Sequence, residues 1–180
     1  MPQSESPLYL ALDIGGTKTL CNLYDRGGAK LASTRWATPK GQEGFTPALI
    51  STLGDFLARQ EVTHRPLRGL GVGMPGLVDP STGVVEAAHN LELDRLPLGQ
   101  QLSDVFGVPV TVGNDVNLGT LAEAWLGAGV GQELVLGVFI GTGLGGGIVL
   151  RGRPIIGATC MAGEFGHICV EPDGAQCTCG

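Results

Sequence analysis

The sequence predicts an α/β fold built as two related lobes, on three observations. A strand meander opens on a glycine turn at Gly15-Gly16, a helix and a strand follow it, and a second pair of strands meets at another glycine turn, Gly141 to Gly146. The 31 glycines of the 180-residue chain are neither periodic nor gathered in a low-complexity tract. They stand where backbone turns sharply or approaches a ligand.

In chain order, Tyr9 to Ile14 reads as a buried strand, Thr19 to Tyr24 as its antiparallel partner and Lys30 to Trp36 as a third strand. Phe45 to Gln60 sets Leu49, Leu53, Phe56 and Leu57 at helical spacing. Leu67 to Val72 is the next strand and runs into Gly73-Met74-Pro75-Gly76. Leu98 to Phe106 reads as a short helix, Val108 to Val112 as a strand, and Asn117 to Leu126 as a helix closed by Gly127 and Gly129. Leu134 to Ile140 and Gly147 to Leu150 then form the second hairpin. The boundary is placed at residue 113, giving a first lobe over 1–113 and a second beginning at 114 and running to 180.

Composition narrows the class. Hydrophobic residues make up 43% and charged ones 16%, which predicts a packed core. Seventeen acidic against eleven basic side chains give a formal charge of -6 with no basic run, which argues against a nucleic-acid partner. Met1 to Pro7 brings no Lys or Arg ahead of the short apolar run Leu8 to Leu12, and Asp13 interrupts that run, so no signal peptide is predicted. No apolar stretch reaches the roughly eighteen residues needed to span a bilayer, and a soluble, cytoplasmic protein without a membrane partner is expected. Of five cysteines, Cys21 falls in a strand and four cluster from Cys160 to Cys179. That pattern points to reduced thiols or a metal.

Four motifs carry chemistry. In Asp13-Ile14-Gly15-Gly16-Thr17-Lys18, glycines let backbone N–H groups reach phosphate oxygens, while Thr17 and Lys18 add a hydroxyl and a positive charge. The alternative is an ordinary hairpin turn, but an Asp at a strand end before two glycines is poor hairpin chemistry. Gly141-Thr142-Gly143-Leu144-Gly145-Gly146 satisfies the dinucleotide pattern G-x-G-x-x-G; Ile148-Val149-Leu150 predicts a strand after it, where that pattern needs a helix. A second phosphate-holding hairpin fits better. Asp115, within Gly113-Asn114-Asp115-Val116-Asn117, is either a helix-capping carboxylate or, lying between two phosphate loops, a reactive one. Finally, His167 of Gly163-Glu164-Phe165-Gly166-His167 and the pair Cys177 and Cys179 are zinc-type ligands, with Cys169 a crowded fourth.

In order and spacing these motifs, with Gly71 to Asp79, resemble those of the ROK-family sugar kinases, and most of all the glucokinases, over about Leu8 to the last residue. The stretch Glu123 to Gly129 is also glucokinase-like. The resemblance implies an actin-like, ribonuclease H-like sugar kinase fold, represented by the first lobe and the beginning of the second. It further implies ATP-dependent phosphorylation of a hexose, glucose first, with fructose, mannose or an N-acetylhexosamine as alternatives. Asp115 would be the general base; Gly76, Asn90, Asn114, Glu164 and His167 would complete the sugar site. Asp13, Gly15, Gly16, Thr17 and Lys18 would hold the ATP phosphates, joined by Thr142 and Gly143. ATP, magnesium and a structural zinc on His167, Cys177 and Cys179 are the implied cofactors, and a homodimer the implied full-length assembly. The family's repressors carry a DNA-binding helix-turn-helix ahead of the first loop, and here only a short polar tail precedes Leu8. The family pattern runs on to a further Cys and a sugar-binding Glu, whereas this chain stops at Gly180, so a truncated kinase is expected. A non-catalytic sugar-binding or regulatory remnant is the competing expectation.

Overall fold

The structure is a computed structural model that describes residues 6–60, 65–141 and 143–177. It divides into two compact units, Met1–Asp115 and Val116–Gly180.

The first unit is built on a five-stranded sheet. Strands β1 (Leu8–Ile14), β2 (Lys18–Asp25) and β3 (Lys30–Ala37) form the antiparallel meander expected from their alternation. Helix α1 (Gln42–Ala58) follows, then β4 (Leu67–Met74), which lies parallel to β1. After a small antiparallel sheet of β5 (Leu77–Asp79), β6 (Val84–Ala88) and β7 (Leu93–Leu96), helix α2 (Leu98–Phe106) leads into β8 (Val110–Asn114), parallel to β4. The order across the large sheet is β3-β2-β1-β4-β8.

One sheet face is apolar and buried: Leu8, Leu10, Leu12 and Ile14 of β1 with Leu70, Val72 and Met74 of β4. Phe45, Leu49, Leu53 and Phe56 of α1 and Leu98 and Leu102 of α2 belong to the same core. Each such aliphatic side chain removed from water contributes about 1.5–3 kcal/mol. The three-stranded sheet was not legible in the sequence, because its strands are three to five residues long and spaced by turn residues. Its first turn is held by Asp79, whose carboxylate accepts from Ser81 N–H at 2.9 Å, Ser81 Oγ at 2.6 Å and Thr82 Oγ1 at 2.9 Å. These bonds hold the Asp79 carboxyl below its ordinary range.

Cys21 sits on the buried face of β2, fully enclosed, and burial pushes its thiol up to about 12 from an ordinary value of 9.0. Above pH 9 an unfolded chain releases this proton while the folded one retains it, so stability falls as pH rises from about 9 towards 12. Denaturant titrations of the protein and of Cys21→Ala across that window test this. The variant is expected to show the shallower decline, and parallel slopes would mean that Cys21 is not the titrating group.

The second unit opens with helix α3 (Asp115–Leu126), whose first residue belongs to the first unit. The helix starts two residues earlier than Asn117, where the sequence pattern placed it. It is closed at Glu123, whose main-chain oxygen accepts from Gly127 and Gly129 while its carboxylate accepts from Ala128 N–H. The hairpin β9 (Leu134–Ile140) and β10 (Leu144–Leu150) follows, with a short edge strand β11 (Arg153–Pro154). Here the structure corrects the sequence reading. Strand β10 begins at Leu144 and not at Gly147, so Leu144, Gly145 and Gly146 lie inside a strand and not in the turn. Among the described residues no helix is long and apolar enough to cross a membrane.

Candidate functional site

Parallel strands deliver their carboxyl ends to one edge of the sheet, which is where open α/β sheets place ligands. In the first unit Asp13 of β1 is in register with Gly73 of β4, and Gly73 with Gly113 of β8. With strands about 4.8 Å apart, Asp13 and Gly113 stand about 10 Å from each other. The predicted residues Asp13 to Lys18, Gly76, Asn114 and Asp115 therefore follow the ends of three adjacent strands.

Two of them touch. Asn114 Nδ2 donates to the Gly76 carbonyl at 3.1 Å. Gly76 has φ 105, and a Cβ there would overlap the Ala87 carbonyl and stand 2.9 Å from Ala88 Cα. Only glycine fits this conformation and this closeness. The loop is thereby pressed onto the end of β6, two residues before Asn90, which is exposed in a 3-10 turn over His89–Leu91. Asp115 is the first residue of α3, where a carboxylate also favours the positive end of the helix.

The first glycine turn is tight: Gly15 N–H donates to the Lys18 carbonyl at 2.9 Å. Sequence reasoning missed what lies beneath it. Thr38, just past β3, donates through its hydroxyl to the Gly15 carbonyl at 2.7 Å and through its N–H to the Thr17 carbonyl at 3.0 Å. Its hydroxyl is also 3.0 Å from that of Thr19, which is fully buried. The available signal was Thr19 alternating with Cys21 and Leu23 on an apolar face, since a hydroxyl placed there needs a partner.

In the second unit glycines admit neighbours. A Cβ on Gly146 would overlap the Gly163 carbonyl and the Phe165 ring, and one on Gly166 would overlap the Leu144 carbonyl. The 3-10 turn Phe165–His167 is thus laid directly on the start of β10, beside the second glycine turn with Gly143. A strand follows this turn, so the helix that a dinucleotide site requires is absent there. Thr142 and Cys179 lie outside the described residues.

The His167 ring faces two predicted partners. Its Nε2 is 3.9 Å from Glu164 Oε2, and its Nδ1 is 3.9 Å from Cys177 Sγ. Two ligands on one tetrahedral zinc, at about 2.05 Å for nitrogen and about 2.3 Å for sulfur, stand about 3.6 Å apart. The His167–Cys177 separation is close to that value. Among the described residues, however, no group of three or more His, Cys, Asp or Glu gathers as a metal site, and Cys169 does not supply the third ligand.

Comparison with known proteins places these features in a lineage. A glucokinase of Halalkalibacterium halodurans is 35% identical over 96% of this chain, and an N-acetyl-D-glucosamine kinase of Citrobacter koseri is 34% identical over 92%. Among solved structures, a ROK family glucokinase from Streptomyces griseus in complex with glucose and AMPPNP is 35% identical, covers 96% of this chain and superposes with a TM-score of 0.80. A ROK family transcriptional regulator, homologous to the Escherichia coli MLC protein, is 28% identical and covers 97% of the chain with a TM-score of 0.88. This chain spans 53% and 54% of the lengths of the two kinases, 54% of the glucokinase structure and 44% of the regulator. The fold is the mixed α/β fold of the ROK glucokinase structures, over their amino-terminal part. With residues 9–180 matching the ROK family throughout, the chain belongs to that family.

Proposed function

We propose that this chain carries the sugar-binding and first phosphate-binding parts of an ATP-dependent hexose kinase, with glucose as its substrate. The observation that supports it most is the row formed by Asp13, Gly73 and Gly113 at the carboxyl ends of three parallel strands, with Asn114 bonded to the Gly76 carbonyl beside it. Phosphoryl transfer asks mainly for alignment and for charge placed at the transferring group, and such a row supplies alignment.

In this reading Asp115 takes the proton of the attacking hydroxyl. Asn114, Gly76 and Asn90 hold neighbouring hydroxyls, and Glu164 and His167 hold others. The glycine turn from Gly15 to Lys18 holds phosphate oxygens through backbone N–H groups and the Lys18 charge, as Thr142 and Gly143 do in the second turn. Magnesium, when bound with ATP, neutralises charge on the phosphates. Zinc would be structural, held by His167, Cys177 and Cys179 with a ligand still to be assigned. A homodimer belongs to the same proposal.

A coupled assay of sugar phosphate formation tests it, run on this chain and on a polypeptide extended through the region its relatives carry beyond residue 180. Glucose, fructose, mannose and N-acetylglucosamine form the panel. The extended polypeptide is expected to turn glucose over fastest and the 180-residue chain to be far slower. Sugar binding without product from either polypeptide would identify a non-catalytic remnant instead, and a preference for N-acetylglucosamine would move the substrate.

A further inference from the structure

Thr38 Oγ carries one proton, and the 2.7 Å bond to the Gly15 carbonyl uses it. In the 3.0 Å contact between the two hydroxyls Thr19 must then be the donor. The bonds run in one direction, Thr19 to Thr38 to the Gly15 carbonyl, and each polarises the next. Thr19 is fully buried and Thr38 is 9% exposed, so little water competes for these groups.

The main-chain bond from Gly15 N–H to the Lys18 carbonyl already closes the turn. It does not fix the peptide between Gly15 and Gly16. With no Cβ on either residue, that peptide swivels at small steric cost, and a Cβ on Gly16 would meet open space. Because the peptide is planar and trans, holding the Gly15 carbonyl towards Thr38 turns the Gly16 N–H to the opposite side of the loop. The bond from Thr38 N–H to the Thr17 carbonyl anchors the loop's other end at 3.0 Å.

We infer that Thr38, backed by Thr19, is a positioning residue for phosphate binding: the hydroxyl pair locks the Gly15-Gly16 peptide so that the Gly16 N–H is presented to an anionic phosphate oxygen of the nucleotide. This rests on the phosphoryl-transfer reading above. It adds a residue 23 positions away in sequence from the glycine it holds.

The test measures magnesium–AMPPNP and glucose binding by calorimetry on this chain and on four variants. Thr38→Val is expected to weaken AMPPNP binding by about tenfold or more while glucose affinity stays within about twofold. Thr38→Ser keeps the hydroxyl and is expected to restore nucleotide binding. Thr19→Val keeps the bond to Gly15 and is expected to give a smaller loss in the same direction, and it carries the test if Thr38→Val does not fold. Lys18→Ala separates the two layers. If Lys18→Ala weakens the nucleotide and neither threonine variant does, the positioning role is overturned and the phosphate loop stands. If no variant changes AMPPNP binding, or the chain binds none, the phosphate reading falls and the positioning role with it.

Discussion

Asp115→Ala is expected to lower kcat for hexose phosphorylation by about 10²–10⁴-fold and to leave sugar affinity within several-fold. A general base acts on the proton only as the hydroxyl attacks, so removing it raises the barrier and leaves the ground-state complex nearly intact. Both proteins are assayed at the same polypeptide length, so that anything beyond residue 180 cancels from the ratio. Turnover close to that of the unchanged protein would leave Asp115 with its other role, a charge at the amino end of α3, for which only a modest loss of stability is due.

The second large effect belongs to packing. Gly137 and Gly147 are paired across β9 and β10, and the buried Thr120 of α3 rests on both. A Cβ on Gly147 would overlap Thr120 Oγ1 and stand 2.9 Å from Thr120 Cβ and 3.2 Å from the Val116 carbonyl. The hydroxyl cannot simply swing aside, because it donates to the Val116 carbonyl at 2.9 Å. Gly147→Ala is expected to destabilise the second unit by about 1–3 kcal/mol, and Gly147→Val by more. Urea denaturation of the single variants and of the pair with Thr120→Ala checks this. The double variant is expected to recover part of the loss, since the overlapping atom is gone. Full stability in Gly147→Val would mean that α3 does not sit on the hairpin this closely.

These glycines also show where the sequence was legible and where it was not. The meander, α1, α2 and the parallel strands were readable because Leu8, Leu10, Leu12 and Ile14, or Leu49, Leu53 and Phe56, repeat at the period of their own element. The turn between β1 and β2 was readable because turns restrict composition locally, whereas the start of α3 was placed two residues late, at Asn117 and not Asp115. Gly145 and Gly146 were misread as part of the turn, because a glycine needed to admit a neighbour from elsewhere in the chain looks the same as one needed to bend its own backbone. Thr38 was invisible for a related reason: its partners, Gly15, Thr17 and Thr19, are contacts made only once β3 has paired with β2. Short strands such as Leu77–Asp79 carry too few residues for any period to emerge.

The register of the large sheet has a temporal consequence. β1 lies between β2, which follows it at once in the chain, and β4, which begins 59 residues after it at Leu67; β4 in turn waits for β8 at Val110. The hairpin side can form as soon as it is synthesised, whereas the parallel side must close long loops before its contacts reward the entropy lost. Until residue 114 has left the ribosome, the edge of β4 away from β1 has no strand beside it. The row that holds Asp13, Gly73 and Gly113 is therefore the last part of the first unit to be assembled, and its residues come together only when that unit is complete.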